Sequence, residues 1–542
     1  MTRMTTATMG PSRTAASRTP QPHATTLRRS RMPCRRSRPR ATVGAVRVAA
    51  AGLLVLFLAS RASAAPLLAG VGRVEITDRE AGPVNDPAFV RALVLKSGDA
   101  TAVLVTVDAV AIGGIGHIPD TFLGRVRARL QTDLGIPPGH VIVNASHCHA
   151  TVRTDVHELT VQAVKEAVKS LEPVRAGAGV GHEDRISENR RLLLKDGSEA
   201  DMRRAYPMPP DGEIAAVGPI DPQIGILRLD RLDGRPLAVV SVFACHPIMN
   251  PPSKGSSADF PGVAAASVDA ALGDGAMSFF VQGCGGDINP IRYKETGRPA
   301  DAEPLGEMFA ASVLAAARRI DTRPDVVLTV TCDTVHLPRA TDYETRIACL
   351  EAERQALVEK LRPVSVNFKG FLPLLVEQGL APDMPSHAAQ AYLHDEALGR
   401  RPLSQHDADN RRLVTDYLHN VESMERLVRL NANLALLRKN LALTQAAGSD
   451  TLDAEVCGLR VGDFRLVTFP GEISAQVGLA IKQAAGQPTS FVAGYTNGYI
   501  YYTPTAQQRR NTGFAQEDCD TLVAPEWQAI FEARAVAVLQ GL

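Results

Sequence analysis

Hydrophobic and polar positions alternate with two different periods along residues 66 to 340. Short apolar runs such as Arg91 to Lys96 and Thr101 to Val107, separated by a Ser-Gly-Asp turn, predict paired strands. One face of the next predicted helix carries apolar residues at every fourth position: Phe122, Val126, Leu130 and Leu134. Because the two kinds of segment keep alternating, we predict an α/β fold, with a mixed β-sheet core flanked by helices.

The same patterns place the remaining elements. Further strands are predicted at 141–144, 278–282, 457–461 and 464–469, a hairpin around Asp233-Gly234, and helices at 159–171, 263–272, 305–320 and 526–539. Between about 341 and 447 helix-forming residues dominate, which predicts a helical insertion. Its apolar middle, Phe368 to Leu380, is interrupted by Gly and Pro and predicts a loop, either packed on the core or forming a lid over an apolar substrate.

The first 64 residues have the pattern of a targeting segment. They hold twelve arginines and no acidic residue, then the apolar run Val48 to Ala59, and then Ala62-Ser63-Ala64, which resembles a signal-peptidase site. The apolar run is shorter than the roughly 20 residues that span a bilayer, so a membrane anchor is the less favoured alternative. We therefore predict a signal peptide with an N-terminal extension, Met32 as an alternative start, and export to the periplasm or the medium.

The charge of the remaining chain limits its partners. Beyond residue 64 there are 47 basic and 58 acidic residues, so the body is acidic. Nucleic-acid affinity comes mainly from Lys and Arg, which argues against a nucleic-acid partner. No later stretch is apolar enough to span a membrane, so we expect at most a peripheral membrane contact. Seven cysteines without a C-x-x-C pair leave at least one unpaired and do not predict the pairing.

The candidate chemistry lies at predicted strand ends. His147 and His149, in Ser146-His147-Cys148-His149, follow the strand 141–144 directly. Residues two apart on one strand share a face, so both imidazoles would reach one centre, one as a metal ligand and the other as an acid/base. His157 and Glu158 lack the spacing of a zinc-binding helix and are treated as surface residues.

Three further strand ends carry polar residues. His246 follows an apolar strand, Asp287 and Asn289 follow a Gly-rich turn, and Glu472 stands between a strand and a helix. Each also has an ordinary structural explanation: a hydrogen-bonded histidine, a tight turn, and an acidic residue at a helix start. Two imidazoles and one carboxylate are nevertheless the ligands of a catalytic zinc site with a position left open for water.

The order and the residue sequences of these segments resemble those of the neutral (alkaline, non-lysosomal) ceramidase family. The matching segments are SHCH (146–149), FACHP (243–247), SADFPG (257–262), GGDINP (285–290), FPGE (469–472) and GYTNGYIYYTPT (494–505). Six segments in the family's order extend over most of residues 66 to 520. The resemblance implies a ceramidase-like catalytic domain over residues 65–542.

The resemblance also implies roles for individual residues. His147, His246 and Glu472 would bind Zn²⁺, with Tyr502 as a further ligand and Tyr499 and Tyr501 as its rivals. His149 would be the acid/base or the group that orients the substrate carbonyl. Arg190, with Arg191 as the alternative, would hold the substrate carbonyl, and Asn289 would stabilise the oxyanion. The implied enzyme is a zinc-dependent amidohydrolase that cleaves the linear amide of an N-acyl, ceramide-like lipid with metal-activated water.

Three departures from the family pattern bear on the substrate. Asn289 stands where ceramide-cleaving members have Ser, and Phe514 falls where they have a catalytic Tyr. The family's immunoglobulin-like C-terminal domain is not expected here. Because an amide cannot replace a hydroxyl as a nucleophile, two alternatives stay open: hydrolysis of another acyl ester or amide, and a noncatalytic metal-binding protein.

Overall fold

The structure is a computed structural model, and it describes residues 65–201, 209, 211–250, 255–293, 300–364, 369, 373, 389–400, 402–511 and 515–542. The predicted signal segment 1–64 and Phe514 lie outside the described residues. So does the apolar segment 368–380, apart from Lys369 and Pro373.

The strands are β1 (Leu68–Glu75), β2 (Phe89–Ser97), β3 (Ala100–Val107), β4 (Val141–Ala145), β5 (Glu172–His182), β6 (Ser187–Asn189), β7 (Arg191–Leu194), β8 (Glu199–Asp201), β9 (Ile214–Val217), β10 (Gln223–Arg231), β11 (Pro236–Phe243), β12 (Met277–Gln282), β13 (Ile288–Pro290), β14 (Leu328–Pro338), β15 (Thr451–Val461), β16 (Phe464–Thr468), β17 (Glu472–Ile473), β18 (Ser490–Ala493) and β19 (Tyr502–Thr503).

The helices are α1 (Phe122–Leu134), α2 (Val156–Lys169), α3 (Asp259–Leu272), α4 (Glu303–Ala317), α5 (Tyr343–Lys360), α6 (Ala389–Ala397), α7 (Pro402–Ala447), α8 (Ala475–Ala485), α9 (Ala506–Arg509), α10 (Gln516–Cys519) and α11 (Trp527–Gly541). Short 3₁₀ turns lie at Pro138–His140 and Asp211–Glu213.

Two mixed sheets form the framework. The larger has eight strands in the order β12-β11-β10-β5-β1-β2-β3-β4, and the smaller has four in the order β14-β15-β16-β18. In the larger sheet β3 pairs with β4, and β11 with β12, in parallel, whereas its other pairs are antiparallel. The predicted mixed α/β fold is confirmed. The division of the strands into two sheets could not be seen in the sequence, because it depends on pairing between strands that are distant along the chain, such as β14 with β15.

The alternation of side chains along the strands builds the core. Leu93 and Leu95 of β2 share one apolar cluster with Leu466 of the smaller sheet, so the two sheets pack face to face. Val94 points to the opposite face, where it joins a second cluster with Phe122 of α1. Each sheet therefore has one face on the other sheet and one face covered mainly by helices.

The segment from 341 to 447 is helical wherever the structure describes it, except for the turns and linkers between its helices. Helix α5 packs against α7 through a small apolar cluster that includes Leu350 and Leu434. Among the described helices, none combines the length and apolar character needed to cross a bilayer.

A disulfide joins Cys332 of β14 to Cys457 of β15, which are directly paired across the two strands. The other cysteines in the described part of the chain are free: Cys148, Cys245, Cys284, Cys349 and Cys519.

Candidate metal centre

Three ligand-type side chains from distant parts of the chain meet in the interior. His147 follows β4, His246 follows β11, and Glu472 begins β17. All three are buried. One nitrogen or oxygen atom of each lies within 4.8 Å of the others. We call these three residues the metal cluster.

One polar residue of β4 ties the surrounding segments together. The side-chain amide of Asn144 donates to the Gly494 carbonyl at 2.8 Å and to Thr496 Oγ1 at 2.9 Å. Its oxygen accepts from the backbone N–H of Gln282, in β12, at 2.8 Å. The strand that precedes His147 is thereby fixed to the opposite edge strand of the large sheet and to the loop after β18.

His147 does not lie on the strand. β4 ends at Ala145, and His147 has a φ of 70°, a left-handed value that is uncommon for residues other than glycine. The backbone N–H of His147 donates to the Ala109 carbonyl at 3.0 Å, which holds this turn. The prediction that His147 and His149 share one strand face is therefore wrong. The turn leaves His147 buried and His149 exposed, with ring centroids 6.1 Å apart.

The two imidazoles of the metal cluster are fixed in the same tautomer. Nδ1 of His147 lies 2.6 Å from the Val110 carbonyl, and Nδ1 of His246 lies 3.0 Å from the Ile288 carbonyl. A carbonyl only accepts hydrogen bonds, so each Nδ1 must carry a proton. In the neutral rings Nε2 therefore carries the lone pair, which is the usual arrangement in metal-binding histidines.

Glu472 presents one oxygen to both lone pairs. Its Oε2 lies 3.1 Å from Nε2 of His246 and 3.5 Å from Nε2 of His147. The hydroxyl of Tyr495 donates to the same oxygen at 3.2 Å, and the hydroxyl of Tyr499 donates to the other oxygen, Oε1. Both oxygens of the carboxylate are thus held by phenols.

Burial determines the protonation of the cluster. It lowers the pKa of His147 to about 4 against the opposing charge of Glu472, so this ring is neutral at pH 7. His147 therefore presents a neutral imidazole to the Glu472 carboxylate.

This arrangement fits a zinc ion. Two lone pairs facing a carboxylate oxygen repel one another unless a cation or a proton lies between them. Zinc bonds of about 2.0–2.1 Å in a tetrahedral site imply ligand-to-ligand distances of about 3.4 Å. The observed distances from Oε2 of Glu472 to the two nitrogens, 3.1 and 3.5 Å, match that value.

The three tyrosines considered as a further ligand lie at different places. Tyr502 pairs with Glu472 in the β17–β19 sheet, and its ring stacks on His246 with centroids 6.5 Å apart. Tyr499 contacts Glu472 through its hydroxyl. The ring of Tyr501 instead faces Lys439, whose Nζ lies 3.9 Å from the ring centroid.

Arg190 lies beside Tyr502 and is held by its own chain. Its guanidinium donates to Asn289 Oδ1 at 3.2 Å and to the Gly286 carbonyl at 2.6 Å, and its Nε lies 2.6 Å from Glu517. Its Cζ lies 5.4 Å from the ring centroid of Tyr502. Arg190 and Asn289 therefore form a buried, hydrogen-bonded pair. This pair lies beside Tyr502, whose ring stacks on His246 of the metal cluster.

The alternative arginine, Arg191, belongs to a compensated set of charges. It lies 3.0 Å from Glu199, 3.2 Å from Glu517 and 3.0 Å from Asp518. We call Arg190, Arg191 and these three carboxylates the arginine cluster. Arg191 faces all three carboxylates of this cluster, so the structure favours a structural role for it.

The Gly-rich turn packs against the Glu472 segment rather than exposing its amides. A side chain at Gly286 would come within 2.4 Å of the Glu472 carbonyl, so only glycine allows this approach. The N–H of Gly286 donates to the Ile473 carbonyl at 2.8 Å. Asp287 accepts from the N–H of Ala475 at 2.7 Å, at the start of α8. The turn thus fixes the segment that carries Glu472.

The SADFPG segment supports the second histidine. Asp259 accepts a hydrogen bond from the backbone N–H of Asn250 at 2.7 Å, and the side chain of Asn250 donates to Ser257 at 3.0 Å. These bonds fasten the loop that follows His246. Burial raises the pKa of Asp259 to about 6 against the backbone hydrogen bonds that it accepts.

His149 lies between the cluster and solvent. Solvent reaches its ring, yet desolvation by the surrounding protein and the charge of His147 lower the pKa of His149 to about 4. It is therefore a neutral proton acceptor at pH 7.

Two open surface clefts of about 650 and 820 Å³ have mainly charged linings that include none of the candidate ligands.

Sequence reasoning missed Tyr495, Asn144 and Glu517. Asn144 is the one polar residue in the run Val141 to Asn144, and that position was its only signal. Tyr495 stands in the Tyr-rich segment, but the family pattern assigns the metal-binding role to a later tyrosine of that segment. Nothing in the sequence distinguishes Glu517 from a surface carboxylate.

Comparisons with known proteins bear on the fold that carries this site. No protein-family model and no curated protein matches the chain. Among solved structures, the chain is similar to the neutral ceramidase from Pseudomonas aeruginosa, with a TM-score of 0.54 and 16% identity, covering 88% of this chain and 74% of that one. It is also similar to a ceramidase complexed with C2, with a TM-score of 0.56 and 16% identity over 88% and 75% of the two chains. The chain therefore has the fold of the neutral ceramidases.

Proposed function

We propose that the protein is an exported, zinc-dependent hydrolase that cleaves the amide bond of an N-acyl lipid similar to ceramide. The observation that carries this proposal is the convergence of two imidazole nitrogens and one carboxylate oxygen at a buried point of a ceramidase fold. His147, His246 and Glu472 would hold the metal, with Tyr502 as a further ligand. The chemistry that zinc supplies when bound is Lewis-acid activation of water, whose pKa falls to about 7.

The chain's own residues orient the acyl group. Asn289 Oδ1 faces Arg190, which only donates, so the carboxamide is held in one orientation. We assign to Asn289 Nδ2 the hydrogen bond to the oxygen that becomes negative in the transition state. Arg190, fastened by Glu517 and Gly286, supports this group through its fixed position and its charge.

His149 is assigned the proton transfers. It is neutral at pH 7, solvent reaches its ring, and its ring centroid lies 6.1 Å from that of His147. A neutral imidazole can accept a proton from the attacking water and then donate it to the leaving nitrogen. The amine is thereby released in a protonated form, which makes it a better leaving group.

The Cys332–Cys457 disulfide supports the export proposal. Disulfides persist in oxidising compartments such as the periplasm and the extracellular space. This observation is independent of the targeting pattern in residues 1–64.

A second candidate function is hydrolysis of another acyl ester or amide, and Asn289 favours it. The resemblance places a Ser at this position in ceramide-cleaving members, and a changed residue beside the acyl group changes which leaving group is accepted. A noncatalytic metal-binding protein is the third possibility.

Matched substrates distinguish these functions. A short-chain ceramide and its ester analogue, with the same acyl chain, are supplied to the purified protein and fatty-acid release is measured. Faster release from the amide supports the proposal. Faster release from the ester favours the second candidate, and stoichiometric zinc without release of fatty acid from either compound favours the third.

A further inference from the structure

Tyr495 occupies a position between two ligands of the metal cluster. Its side chain is fully buried, and its ring lies against His147 with centroids 4.4 Å apart. Its hydroxyl donates to Oε2 of Glu472 at 3.2 Å. The side chain of Tyr495 therefore packs on His147 and donates a hydrogen bond to Glu472.

The oxygen that Tyr495 contacts is the one that faces the metal position. Oε2 is the Glu472 oxygen that lies 3.1 and 3.5 Å from the two Nε2 atoms, whereas Oε1 accepts from Tyr499. A carboxylate with both oxygens held cannot rotate about its terminal bond. The two phenols thus keep a single oxygen directed at the imidazoles, which favours monodentate binding by Glu472.

The backbone of Tyr495 fixes this contact from both sides. Its carbonyl accepts from the N–H of Ala145 at 3.0 Å, and its own N–H donates to the Gly471 carbonyl at 3.2 Å. Ala145 ends the strand before His147, and Gly471 precedes Glu472. Tyr495 has a φ of 51°, so the loop pays a conformational cost to hold the residue there.

We infer that Tyr495 is a positioning residue whose hydroxyl sets the affinity of the metal cluster for zinc by orienting Glu472. The inference rests on the proposed function, because it requires the cluster to bind zinc. The Tyr495 hydroxyl is the donor in its contact with Glu472, because a carboxylate only accepts hydrogen bonds. Hydrogen-bond partners of metal ligands typically contribute about 10- to 100-fold in metal affinity.

The test compares Tyr495→Phe with the wild-type protein and with Tyr343→Phe. Tyr343 is a matched control, since it is also buried and its hydroxyl donates one hydrogen bond, to the Thr521 carbonyl at 2.9 Å. Zinc dissociation constants are measured by competition with a chelator, and the thermal unfolding of each metal-free protein is measured in parallel. We expect Tyr495→Phe to weaken zinc binding about 10-fold or more. We expect Tyr343→Phe to leave zinc affinity unchanged.

Two further readouts separate positioning from a purely structural role. The visible spectrum of the Co²⁺-loaded protein should change in Tyr495→Phe, because it reports the geometry of the ligands. A 3-fluorotyrosine at position 495 keeps the hydroxyl, and its ¹⁹F resonance should shift on addition of one equivalent of zinc, even if the Phe variant does not fold.

The outcomes also separate this inference from the proposed function. If the wild-type protein binds zinc and Tyr495→Phe binds it equally well with an unchanged Co²⁺ spectrum, the inference is overturned and the proposed function stands. The inference is also overturned if the ¹⁹F resonance of 3-fluorotyrosine at position 495 does not shift when zinc is added. If the wild-type protein binds no zinc, both are overturned.

Discussion

The metal cluster and the arginine cluster are both buried, but they satisfy their polar groups in opposite ways. In the arginine cluster, guanidinium groups face carboxylates of the same chain, as Arg191 faces Glu517 and Asp518. In the metal cluster, two lone pairs and a carboxylate oxygen face one another, as His246 faces Glu472. The first arrangement is complete without a ligand, whereas the second calls for a cation. Completeness therefore distinguishes a structural charge cluster from a binding site.

The comparison predicts that losing a metal ligand abolishes function while sparing the fold. His147→Ala removes one imidazole, and we expect fatty-acid release to fall on the order of 10³-fold, since a bound metal contributes several kcal/mol to the transition state. Zinc content should fall with it. His336→Ala is the control, because His336 is exposed and paired only with Asp453 in the described contacts. Full activity of His147→Ala would remove His147 from the site.

The arginine cluster should respond in the opposite way. Glu517→Gln leaves Arg190 and Arg191 buried with one fewer counter-charge, which costs about 3 kcal/mol or more in the free energy of unfolding. We expect this loss in urea unfolding, with the zinc affinity of the folded protein unchanged. A stable Glu517→Gln protein that has lost zinc binding would reverse the assignments of the two clusters.

Asn289 accepts a hydrogen bond from Arg190 of the arginine cluster, and it follows Ile288, whose carbonyl faces His246 of the metal cluster. Asn289→Ala removes a proposed oxyanion donor, so we expect kcat to fall about 10²-fold with zinc affinity unchanged. Asn289→Asp is the matched variant, because it keeps an oxygen for Arg190 but has no N–H to donate. If Asn289→Asp retained the wild-type kcat, the donor role would be wrong.

The smallest effect is expected at a surface pair. Arg323 and Asp463 lie 2.6 Å apart but are both exposed, so Asp463→Asn should change the free energy of unfolding by at most about 0.5 kcal/mol. Urea unfolding of this variant provides the scale for Glu517→Gln. A loss as large as that of Glu517→Gln would show that burial does not distinguish the two pairs.

Much of the framework could be predicted from periodicity. The predicted helix through Phe122, Val126, Leu130 and Leu134 corresponds to α1, and the hairpin at Asp233-Gly234 corresponds to β10 and β11. His147, His246 and Glu472 could also be selected as candidate ligands, because polar residues directly after apolar strands are visible in a sequence. The positions of the candidate ligands can therefore be partly predicted from local sequence pattern.

The rest depends on contacts between distant residues. The left-handed backbone of His147 is stabilised by Ala109, and the orientation of Glu472 by Tyr495 and Tyr499. No periodicity encodes such contacts. The Gly286 turn is a similar case, since its glycine serves close packing against Glu472 rather than an exposed amide.

The most direct test is fatty-acid release from a short-chain ceramide by the purified protein, measured before chelation, after chelation and after zinc is added back. The account predicts release that chelation abolishes and one equivalent of zinc restores. Release that persists in the metal-free protein would contradict it, because the buried imidazoles and Glu472 would then have no part in the chemistry.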